Sequence, residues 1–126
     1  MNLELAKRAV ACKRWRWMPG MLVIAEGYSS LRLAEEIIPF VWRGWPIQEA
    51  DAVVLQSDCL PDFNDPATLG CLLALVREAQ GDCTIWTMVD VDCDEGTWLC
   101  TGLEVGEIGS GYSEAHTLVA ALEAAP

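Results

Sequence analysis

From Asn2 to about Trp17, apolar residues recur at helical spacing. Leu3, Ala6, Val10 and Trp17 share one stripe with Leu5, Ala9 and Cys12 beside it, while Lys7, Arg8 and Arg14 turn outward. Asn2 suits the N-cap, and Pro19-Gly20 stops the helix. Met21–Ala25 then reads as a buried strand, turned by Gly27-Tyr28-Ser29-Ser30 into a second strand near Leu31–Leu33. Farther on, Val41-Trp42 and Ala52–Leu55 fit strands with Gly44-Trp45-Pro46 turning between them. The clearest element starts at Asp65. That residue is an N-cap, Pro66 fits the first helical position, and Leu69, Leu72, Leu73 and Val76 form an apolar face up to Gly81. Thr84–Val89 and Trp98–Leu103 read as strands around the acidic turn Asp90–Gly96. Finally, Ser113 caps a helix whose Leu118, Val119 and Leu122 face the core.

The order is α-β-β-(β)-α-β-β-α. Consecutive strands joined by short turns favour antiparallel pairing. The expectation is therefore an α+β sandwich: an antiparallel sheet of about four to five strands packed with three helices. A length of 126 residues suits a single domain, 1–126.

Composition narrows the class. With 52% hydrophobic residues the chain is not disordered. No apolar run reaches the ~18–20 residues that cross a bilayer, and the N-terminus lacks the apolar stretch of a signal peptide. A soluble, cytoplasmic protein is expected. Six cysteines stand at positions 12, 59, 71, 83, 93 and 100, with no C-x-x-C pair and His116 as the sole histidine. A structural zinc site has little to draw on, and all six read as reduced thiols. The formal net charge is −11. Residues 1–16 hold five bases against Glu4, a balance of +4, whereas the remaining 110 hold three bases against 18 acids, a balance of −15. Such a body repels nucleic acid and anionic membrane and attracts basic surfaces, although acidity also simply keeps small proteins soluble.

Four motifs carry candidate chemistry. Asp90, Asp92 and Asp94 alternate as at the start of a calcium loop, but an EF-hand needs Gly sixth and Glu twelfth, where Glu95 and Thr101 stand. A solvated hairpin tip is the simpler reading. Gly109-Ser110-Gly111-Tyr112-Ser113 precedes the last helix, whose N-terminus could hold an anion, yet the dinucleotide fingerprint requires a third glycine where Glu114 stands, so a flexible loop ending in an N-cap is the favoured reading. His116 lies one turn into that helix without a recognisable nucleophile or orienting carboxylate. Arg14-Trp15-Arg16-Trp17 alternates cation and ring, as in a base-stacking surface. On a helix, however, the two rings would point about 200° apart, so a core role is favoured. No G-x-S-x-G, P-loop or H-E-x-x-H signature occurs, so no catalytic residue, cofactor or metal is assigned.

Three blocks carry a resemblance: LELAKRAVACKRWRWMPGM at 3–21, PDFNDPATLGCLLALVREA at 61–79 and SEAHTLVAALEAA at 113–125. Together they resemble a group of small phage and prophage proteins similar to the phage ABA-sandwich domain. The blocks are the three predicted helices, with residues 22–60 and 82–110 as the variable part. The resemblance implies a virus-encoded protein in the bacterial host cytoplasm during infection or lysogeny, and it transfers no functional residue. It also implies a scaffold presenting variable surfaces, for which binding outranks catalysis.

The leading expectation is a non-catalytic counter-defence inhibitor whose acidic surface docks on a basic, nucleic-acid-binding site of a host protein. Its candidate residues are Asp90, Asp92, Asp94 and Glu95, with Glu104 and Glu107 nearby. Neither nucleic acid nor membrane is an expected direct partner, and a homo-oligomer is left open. The alternative is a sponge for a small nucleotide immune signal, with Arg14, Trp15, Arg16, Gly109, Gly111 and Ser113 forming its pocket.

Overall fold

The computed structural model describes residues 3–25, 31–33, 59–92 and 96–126. The expected Gly27–Ser30 turn, the strands at Val41-Trp42 and Ala52–Leu55, and Cys93, Asp94 and Glu95 lie outside these. The architecture is α+β, with three helices and two three-stranded antiparallel sheets among the described residues. The chain divides into two compact units, residues 1–6 with 17–71 and residues 7–16 with 72–126. No helix among the described residues is long and apolar enough to cross a membrane.

Helix α1 covers Leu3–Ala11 and buries Leu5, Ala6 and Ala9. Leu3 is exposed and Val10 half-buried, so the buried stripe is rotated from the expected one. The helix also ends well before Trp17. Beyond Ala11 the backbone tightens into three-residue turns, Cys12 N–H donating to the Ala9 carbonyl and Trp15 N–H to the Cys12 carbonyl, each at 3.1 Å. Trp15 and Trp17 thus follow the helix and are half-buried.

In the first unit, β1 (Leu22–Ala25) pairs with β2 (Leu31–Arg32) on one side and with β3 (Cys59–Pro61) on the other. The registers are Val23↔Leu31 and Ile24↔Leu60. Asp65 ties this sheet to the start of α2 (Pro66–Gln80). It caps the helix by accepting the Thr68 N–H at 3.0 Å and hydroxyl at 2.8 Å, while Arg32 grips both its oxygens at 2.8 and 2.9 Å. The Thr68 hydroxyl in turn accepts the Leu22 N–H at 2.7 Å. The helix starts and stops where Asp65, Pro66 and Gly81 require, Gly81 taking φ +68°. Its buried face is Thr68, Leu72, Leu75, Val76 and Ala79, with Leu69 and Leu73 only half-buried. Periodicity alone chose a neighbouring stripe because α2 is apolar around much of its circumference.

In the second unit, β4 (Trp86–Val89), β5 (Trp98–Gly102) and β6 (Gly106–Gly111) form a meander, and α3 (Glu114–Glu123) covers one face. Thr117, Leu118, Val119, Ala121 and Leu122 are buried along α3. Strand β6 corrects the reading of Gly109–Gly111 as a loop. Its glycines lower strand propensity, yet here they allow close backbone approach. A Cβ on Gly109 would stand 2.8 Å from the Thr117 carbonyl oxygen, and one on Gly111 would stand 2.7 Å from His116 Cβ.

Candidate functional site

The two ends of the second sheet hold the described acidic candidates. Asp90 and Asp92 follow β4; the Asp90 N–H donates to the Thr97 carbonyl at 2.6 Å, and the Asp92 N–H donates to Asp90 Oδ1 at 3.0 Å. Glu104 sits in the β5–β6 turn and Glu107 is the second residue of β6; both are exposed, as is Asp92. Because β5 runs from the first turn to the second, Asp90 and Glu104 are about 17 Å apart along a strand rising ~3.4 Å per residue. Glu104 and Glu107 are therefore not neighbours of Asp90 and Asp92, correcting the expectation of one cluster. Spacing in sequence obscured this because an antiparallel strand carries the chain to the opposite edge.

A fifth acid, missed in the sequence, organises the Glu104 end. Asp82 is 2% exposed. Its Oδ1 accepts the Thr84 N–H at 2.8 Å and the Thr84 hydroxyl at 2.5 Å, and its Oδ2 accepts the Glu104 and Val105 N–H groups at 3.1 and 3.3 Å. The Thr84 hydroxyl oxygen also accepts the Leu103 N–H at 2.9 Å. The Thr84 hydroxyl bond and then the backbone donors hold the Asp82 carboxyl below the ordinary carboxylate range, outweighing burial. Gly102 is required opposite it, since a Cβ there would overlap the carboxylate. Asp-x-Thr immediately after a helix-ending glycine was the available signal, a side-chain-capped turn.

The nucleotide candidates are not gathered. Gly109 and Gly111 face α3 backbone, and the Ser113 hydroxyl caps α3 by accepting the His116 N–H at 3.2 Å, with His116 Nδ1 at 2.8 Å. Arg14 lies at the other end of α3, donating to the Pro126 carbonyl at 2.7 and 3.0 Å. Ten helical residues at ~1.5 Å each separate these ends by about 15 Å. Arg16 is drawn to Glu78 at 2.5 Å.

A cleft of about 490 Å³ does form where Arg14 lies, lined by Arg8, Cys12, Lys13, Arg14, Leu122 and Glu123 among others. Arg8 pairs there with Glu123, which raises the guanidinium pKa, and burial pushes the Cys12 thiol up. Cys12, Cys59, Cys71, Cys83 and Cys100 are all free thiols, and burial holds Cys100 at about 11, far from reactivity at neutral pH. Among the described residues, no group of three or more His, Cys, Asp or Glu is gathered as a metal site. No family model, no curated protein and no solved structure matches the chain.

Proposed function

We propose that the chain is a phage-encoded, non-catalytic counter-defence protein, built as an α+β sandwich, that docks an acidic surface on a basic site of a host protein in the bacterial cytoplasm. The observation carrying this reading is the division of labour among the charges. The described ion pairs engage Glu123, Glu78 and Asp65. Asp90, Asp92, Glu104 and Glu107 have no cationic partner among the described residues, so they project negative potential into solvent. A basic surface that normally holds nucleic acid is the complementary partner, with attraction that weakens as salt screens it. The test is capture from host lysate at low and high salt. Wild type should retain a salt-sensitive partner that a fourfold Asp90→Asn, Asp92→Asn, Glu104→Gln, Glu107→Gln variant loses; a partner set indifferent to both changes would sink the reading.

The cleft supports a second reading, a sponge for a small nucleotide signal, because Arg8, Lys13 and Arg14 set three cations against Glu123. Thermal shift against cyclic and ADP-ribose-type nucleotides separates the readings. Ligand at 100 times its dissociation constant would stabilise the fold by ~2.7 kcal/mol, and a flat panel removes the sponge.

A further inference from the structure

The edge of the second sheet carries more information than its charge. Register makes Asp90 and Thr97 the next pair beyond Val89↔Trp98, and the Asp90 N–H donates to the Thr97 carbonyl. In antiparallel pairing, hydrogen-bonded and non-hydrogen-bonded pairs alternate. Trp86, Met88 and Asp90 therefore direct their backbone groups at β5, and Thr87 and Val89 direct theirs outward. Strand β4 is an edge of its sheet among the described strands, so its outer side offers two N–H and two carbonyl groups.

The two faces at this edge differ in chemistry. Thr87, Cys100 and Gly109 are cross-strand neighbours and share the face covered by α3. On that face the Thr87 hydroxyl donates to Glu114 Oε1 at 2.7 Å, bringing a carboxylate to the edge. Trp86 and Met88 occupy the opposite face and remain 38% and 40% exposed, beside Leu99 and Thr101. Proteins usually blunt such an edge with Lys, Pro or a bulge; β4 has none of these, and the described sheet irregularity lies between β5 and β6. Asp90 and Asp92 flank one end of the strand.

We propose that β4 accepts an added strand from the partner: an extended segment alternating apolar residues, which cover Trp86 and Met88, with Lys or Arg, which face Glu114. Main-chain bonds to Thr87 and Val89 supply affinity, and alternation supplies selectivity. Charge favours this occupant over a second copy of the chain, since two bodies of net charge −11 repel. The inference rests on the acidic-docking reading and gives it a location.

The probe is a short blocked peptide of alternating valine and lysine, compared by fluorescence anisotropy with a valine–glutamate counterpart and with the same residues in block order. The alternating cationic peptide should bind best, at least about tenfold above either control. Val89→Pro removes an outward N–H at a position where an edge strand tolerates proline, and should weaken binding about tenfold without changing the far-ultraviolet spectrum. Met88→Lys, which keeps every backbone donor, should also weaken it. Binding that ignores residue order and Val89→Pro but vanishes with Asp90→Asn, Asp92→Asn overturns the strand-addition inference and leaves acidic docking standing. Absence of cationic-peptide binding overturns the inference, whereas the salt-sensitive lysate capture judges the broader reading separately. Concentration-dependent self-association abolished by Val89→Pro would make a second copy the occupant and overturn it as well.

Discussion

At one end of the second sheet Asp82 is 2% exposed and receives four hydrogen bonds; at the other, Asp92 stands in solvent with Asp90 half-buried beside it. Both ends are acidic turns in the same chain, yet the carboxylates serve opposite purposes. Asp82 gathers the turns at 82–84 and 103–105, satisfying N–H groups that would otherwise be stranded. Asp92 has no such burden and contributes field rather than cohesion. The net charge of −11 therefore overstates the surface available for docking, because an acid enclosed by donors is part of the fold.

The largest test of this contrast is Asp82→Ala. It strands the Thr84, Glu104 and Val105 N–H groups, and should lower Tm by on the order of 10 °C or prevent accumulation. Calorimetry showing a wild-type melt would remove the distinction between the two ends. A subtler test uses acid. The Asp82 carboxyl is held below its usual value, as is Asp65 by the Arg32 guanidinium. Depressed carboxylates contribute stability that is complete above the ordinary range near pH ~4 and drains away as pH falls through their lowered values. Urea midpoints should accordingly drop below about pH 4, and Asp82→Asn should flatten part of that fall while lowering stability at neutral pH. The smallest effect belongs to Asp92→Asn, under ~0.5 kcal/mol, since its side chain is exposed. A large loss there would mean that the β4–β5 turn, too, depends on its carboxylate.

Local chemistry made much of the scaffold legible. Asp65, Pro66 and Gly81 announced α2 because capping, fixed φ and a left-handed stop are properties of single residues. Ser113 likewise announced α3, and its buried face followed from Leu118, Val119 and Leu122. The turn-flanked apolar run at 22–25 and its short partner at 31–32 were readable as an antiparallel pair. Beyond these, local signals gave out. Strand β6 was hidden by its glycines, whose value appears only when α3 lies across them.

The sequence by itself therefore determined where α2 begins and ends, where α3 begins, the mixed α+β character, and the excess of acid, because each depends on residue identity or short-range spacing. Only the tertiary structure decided which helical stripe is buried, that the described strands form two sheets rather than one, and that Asp90 and Glu104 lie at opposite sheet ends. It also decided that Asp82 is internal and that β4 lies at the edge of its sheet among the described strands. Those properties depend on strand register and on which surfaces exclude water, and both are settled by residues distant along the chain.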